Sequence, residues 1–108
     1  MTYRAPEADW RIFRDLRELA LDRFCCRVLD EVEGIRQDNA RSHHQRYLDI
    51  YRLLQERDRE LANAFDNPRR SVMILQLIAI HHHGLLEPEE FARFGLETRE
   101  TIERLSKG

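Results

Sequence analysis

Lysine is all but missing from this chain: of 18 basic residues only Lys107 is a lysine, and the 17 arginines face 20 acids for a net charge of −2. Without a positive excess there is no bulk attraction to nucleic acid or to anionic membranes. A nucleic-acid partner is therefore not expected, and nucleic-acid binding through the second helix is a weaker reading than the protein-contact and anion-binding ones below. Glycine (4) and proline (3) are scarce in 108 residues, and no low-complexity segment or internal repeat interrupts the chain. Cysteine is limited to the neighbours Cys25 and Cys26. Adjacent side chains on a helix diverge by about 100°, so this pair is poorly placed to bond to itself, and a reducing, cytoplasmic setting is the simpler expectation. No apolar run approaches the length of a membrane span, and the first ten residues carry Arg4, Glu7 and Asp9 in place of a leader's apolar core. A Gly-rich phosphate loop, a nucleophile elbow, an H-E-x-x-H zinc helix and an isolated carboxylate pair are all lacking. The expectation is thus a non-enzymatic protein without a cofactor.

What is present is hydrophobic periodicity at helical spacing. The 42% hydrophobic and 35% charged content suits several amphipathic helices, each with one solvated face, and the length suits one domain spanning 1–108. The spacing predicts an all-α fold: a compact bundle of three larger helices, the third central and buried, plus two short C-terminal helices.

Helix 1 is expected from Pro6-Glu7, with Glu7 and Asp9 complementing the positive end of the dipole, to about Val32, with Gly34 ending it. Its main stripe is Trp10, Phe13, Leu16, Ala20, Phe24, Val28 and Val32. A second set, Ile12, Leu19, Cys26 and Leu29, widens the apolar surface beyond one core-facing stripe and implies a further neighbour. The connection covers Gly34 to Ser42, with Asn39 or Ser42 capping helix 2. Helix 2 runs to Phe65 on the stripe Tyr47, Ile50/Tyr51, Leu54, Asp58, Leu61 and Phe65, and Asp66-Asn67-Pro68 ends it.

Between Val72 and Ile80 the single polar residue is Gln76, so a helix there is apolar all round and should be enclosed. It begins at Pro68 capped by Asn67 or at Val72 capped by Ser71, and Gly84 supplies its left-handed end. A short helix from Pro88 to Phe94, a stop at Gly95 and a last helix opened by Thr98 complete the chain. Arg17 and Asp58 each interrupt an apolar stripe. A turn between Gln37 and Asp38 would bring them level as an ion pair.

Three function classes follow. The leading one is an accessory or regulatory protein that binds a protein partner or itself as a homodimer, through Ile12, Leu19, Cys26 and Leu29. The alternative is a small-ligand or anion module at Arg69, Arg70 and Ser71, where cations at a helix N-terminus oppose the dipole and a phosphate or carboxylate would be welcome. The second alternative is a His/Cys metal protein using His81, His82 and His83. Consecutive helical residues cannot converge on one ion, so the expectation is that no metal is bound. Imidazoles in a last turn can instead hydrogen-bond the free carbonyls there, and Cys25 and Cys26 read as small core or interface hydrophobes.

Overall fold

A computed structural model describes residues 3–107, and within them the chain is all-α. Three helices come first: α1 (Glu7–Arg36), α2 (His43–Phe65) and, after a 3-10 turn at Arg70–Val72, α3 (Met73–His82). Of the two that follow, α4 (Pro88–Phe91) is a single turn, whereas α5 (Leu96–Ser106), expected to be short, has 11 residues against the 10 of α3. Among these residues no helix is long and apolar enough to cross a membrane.

α3 lies at the centre, packed against α1, α2 and α5. Met73, Leu77 and Ile80 are buried on it and meet Phe13, Leu16, Ala20, Phe24 and Val28 of α1. Phe94 and Ile102 close the same core from the C-terminal side. α2 adds only its last turn, Ala64 and Phe65. The core thus occupies one end of the molecule, which measures 54 × 25 × 24 Å. The rest of α2 and the C-terminal third of α1 form an antiparallel two-helix arm that projects from it. α3 is not enclosed all round as expected, for Leu75 is 65% exposed. Its neighbours cover three sides and nothing in the described residues lies on the fourth.

Local signals explain the boundaries. Ser42 caps α2 in a capping box, its hydroxyl accepting from the Gln45 amide at 3.0 Å while the Gln45 side chain accepts from the Ser42 amide at 2.9 Å. Gly84 adopts φ +66°. Its amide donates to His81 and that of Leu85 to Ile80, which together close α3 in a Schellman turn. Four expected boundaries shift, one of them the end of α4, which lies at Phe91 and not at Phe94. α1 runs through Gly34 to Arg36, because the buried Arg46 of α2 donates to the Arg36 carbonyl and holds the extra turn. Ser71 makes no cap bond. α5 starts at Leu96 with Gly95 as its N-cap, not at Thr98: the buried carboxylate of Asp9 accepts from the Gly95 amide at 3.0 Å and from the Thr98 hydroxyl. A residue of α1 thus takes the amide of the N-cap Gly95, the bond that an acidic side chain at the third helical position makes in a capping box.

The expected Arg17–Asp58 pair does not form. With α1 four residues longer than expected, Glu31 lies opposite Arg57 and Arg17 reaches Phe65, donating to its carbonyl at 2.5 Å with the guanidinium 5.9 Å from its ring. Phe65 is seven residues beyond Asp58, two turns along the same stripe, so the facing surface was as expected and the level was not.

Arg23 of α1 ties down α4, bonding Glu90 through both nitrogens at 2.6 and 3.1 Å. That guanidinium, and then the Glu87 amide, hold the Glu90 carboxyl below its ordinary value of 4.5. A carboxylate depressed in the folded state stabilises the fold above its ordinary pKa and loses that contribution as pH falls through the folded value. Glu90→Gln is accordingly expected to lower the Tm at neutral pH, and the gap from wild type to close as pH falls through the depressed folded-state value. Thermal unfolding across this range checks it; an equal gap at pH 7 and pH 3 would show that the ion pair is not the cause.

Candidate functional site

Burial along the α2 stripe fades from body to tip. Phe65 is fully buried and Leu61 partly so, but Leu54 is 46% exposed, Tyr51 55% and Tyr47 66%. These residues step by three and four, the spacing of a face that a neighbour should cover. Across the arm, α1 contributes Phe24 and Val28 as a floor and Cys25 and Leu29 as a wall, with Leu29 66% exposed. Between the two helices lies an open groove of about 520 Å³, apolar apart from Gln55, Arg57 and Asp58 at its edge.

The polar groups at that edge are unequal. Arg57 is turned to the other side of the arm, paired with Glu31 at 2.9 Å and with Glu60 at 3.2 Å. The two carboxylates raise its pKa, and Arg57 in turn lowers that of Glu31. Asp58 is exposed and forms no ion pair among the described residues. Arg27, Glu31, Arg57, Glu60 and His83 line a smaller, polar hollow on the arm's opposite side. Arg27 and Glu31 each follow Cys25 and Leu29 by two residues, about 200° around α1, so the α3 side of the arm carries charged groups while the far side is apolar.

Of the four helix-1 residues marked from sequence, Leu29 lines this groove. Ile12 packs partly buried against the core, and Leu19 and Cys26 are exposed on a neighbouring line of the helix. Cys25 lines the groove in place of Cys26, and both thiols are free. Sequence reasoning read Tyr47, Tyr51 and Leu54 as core. A stripe that faces a neighbour and one that lacks it have the same periodicity.

At the start of α3, Arg70 and Ser71 line a cavity of about 620 Å³ with Tyr3, Arg4, Ala5 and Ile74. Arg70 donates to the Ala5 carbonyl at 2.7 Å and Arg69 lies outside the lining. At the other end of α3, His81 lies tilted by 38° against Phe91 with ring centres 4.7 Å apart, and His83 meets Phe24 edge-on at 5.9 Å. The free carbonyls there go to arginines, not imidazoles: Arg27 takes His83 at 2.5 Å and Gly84 at 2.9 Å, and Arg23 takes Leu85 at 2.8 Å. Among the described residues no three His, Cys, Asp or Glu side chains are grouped to share a metal ion.

Neither protein-family models, nor curated proteins, nor solved structures yield a match to this chain.

The groove makes a clear energetic contrast. Leu54→Asn and Leu29→Ser are expected to change stability by no more than about 0.5 kcal/mol, as exposed positions do, whereas Phe24→Ala in the groove floor should cost about 3–5 kcal/mol. Denaturant midpoints check this. A loss of several kcal/mol at Leu54 would mean that the arm's open face is buried in solution.

Proposed function

We propose that this is a small accessory or regulatory protein that works by protein–protein contact, the contact being made by the open face of the α1–α2 arm. One observation carries the reading: a helical stripe with core spacing, Tyr47, Tyr51 and Leu54, stands 46–66% exposed beside Leu29. Contiguous apolar surface on a small protein marks a contact site, and tyrosines in particular are favoured there because they bury much area with few rotatable bonds. Helix 1 contributes through Leu29 and Cys25. The cytoplasm is the compartment we infer, supported by the two free thiols. Capture of a partner on immobilised protein, repeated with Tyr51→Asp and Leu54→Asp, tests the reading. Both variants should keep their Tm and lose the captured protein at least tenfold; capture at the wild-type level would reject this face.

The cavity at the start of α3 supports a second reading, an anion site. Arg4 and Arg70 both line it beside the Ser71 hydroxyl, an arrangement suited to phosphate or carboxylate. Titrating phosphate while following backbone amide shifts is expected to move Arg70, Ser71 and Arg4 together. Shifts elsewhere, or none, would leave Arg70 as a clamp on Ala5 only.

A further inference from the structure

The open side of the arm is bordered by acids. Asp22 stands one turn before Cys25 on α1 and Glu33 one turn after Leu29, so both continue the line of the groove wall, and on α2 Asp58 stands one turn after Leu54. All three are exposed, and none forms an ion pair among the described residues. Glu33 accepts from the side-chain amide of Gln37 at 2.8 Å, which leaves its charge unanswered.

The cations of the same stretch face elsewhere. Arg23 and Arg27 of α1 are turned to Glu90 and to the carbonyls that follow α3, and Arg57 is held by Glu31 and Glu60. Arg52 and Arg59 stand two residues before and five after Leu54, about 160° and 140° around α2, on the side away from the groove. Along the α1 wall the first cation past Leu29 is Arg36, two turns on and near the tip of the arm. An apolar channel between carboxylates without counterions is complementary to a surface that is half apolar and half cationic.

The shape selects a helix. The groove runs between two antiparallel helices from Leu61 to Tyr51, ten residues of α2 or about 15 Å, and Tyr47 carries the exposed stripe one turn further. A third helix of about three to four turns fits along it, with side chains at i, i+3 or i+4 and i+7 meeting Leu29, Tyr51 and Leu54. Basic residues flanking that stripe come level with Asp22 and Glu33 on one side and with Asp58 on the other. The same carboxylates oppose a nucleic acid, and a two-fold contact between copies of this chain sets the acidic border against itself.

We propose that the arm receives a basic amphipathic helix of a partner protein, its apolar stripe laid on Leu29, Tyr51 and Leu54 and its arginines or lysines paired with Asp22, Glu33 and Asp58. This rests on the reading of the arm as a contact surface and names the chemistry of what it contacts.

The test uses the untagged full chain and two synthetic helical peptides of about five turns that share one leucine stripe, the first flanked by arginines and its twin by glutamates. Fluorescence anisotropy should show the basic peptide bound at least tenfold more tightly than the acidic twin, and its affinity should fall roughly tenfold between about 0.05 and about 0.5 M salt. Leu54→Asn should weaken binding about tenfold with unchanged helix content, whereas Leu75→Asn, exposed on α3, should leave it as it is. Asp22→Arg and Asp58→Arg in one chain, both at exposed positions, should keep the helix content and reverse the preference, so that the acidic twin binds. Equal binding of the two peptides, or a preference for the basic one that survives the double reversal, overturns the proposal. So does a chain whose sedimenting mass doubles, with the doubling lost in Leu54→Asn, while the basic peptide stays unbound, an outcome that gives the face to a second copy. The capture experiment separates the two ideas. Capture lost on Leu54→Asp without binding of the basic peptide keeps the arm as a contact surface for a partner of other chemistry, and capture indifferent to that change rejects both.

Discussion

At the end of each of α1, α2 and α3 an arginine from another helix holds a carbonyl group left over there. Arg46 of α2 donates to Arg36 at the end of α1, Arg17 of α1 to Phe65 at the end of α2, and Arg23 and Arg27 of α1 to the carbonyls of residues 83–85 after α3. A helix C-terminus concentrates partial negative charge on these unpaired groups, and a guanidinium brings a full positive charge with several donors in a planar fork. Each bond therefore satisfies a backbone group, answers a helix dipole and fixes the distance between two helices. An ammonium offers a single charged point in place of that fork. The near-exclusive use of arginine has, at these positions, a physical use that composition alone did not disclose.

The acidic counterpart is Asp9, which supplies from α1 the N-terminal acceptor that α5 lacks locally. With the clamps on α3 and the Arg23–Glu90 pair on α4, it makes α1 the strut to which every other element is fastened. α1 is about 45 Å long, however, and the core against it extends only from Phe13 to Val28. The turns after Val28 pack against α2. A two-helix pair covers one side of each helix and leaves the rest of any apolar stripe open, and the groove of Cys25, Leu29, Tyr51 and Leu54 is the result. The candidate site is thus a geometric consequence of a strut longer than its body.

The features legible in the sequence were those set by neighbours within a few residues. Ser42 with Gln45, Gly84 with the turn behind it, and Asp66-Asn67-Pro68 announced the ends of α2 and α3 through local bonding and backbone preference. Those misjudged were answered from far along the chain. Gly34 did not stop α1 because Arg46 holds the turn beyond it, Thr98 did not cap α5 because Asp9 takes its hydroxyl and the Gly95 amide, and Arg17 found a carbonyl where an acid was expected. The histidines were assigned the α3 carbonyls for want of any sign that Arg23 and Arg27 pass that end.

By itself the sequence determined the helical class, the order of the elements and which stripe of each helix is apolar, since these follow from side-chain periodicity and local caps. The level of α1 against α2 and the depth to which each stripe is buried were decided only in three dimensions. Sliding α2 by two turns keeps every apolar residue on the same face, so periodicity cannot distinguish the two registers, and the contacts of Arg46, Glu31 and Arg57 select between them. That choice carries Phe65 into the core and leaves Leu54, on the same stripe, in the open.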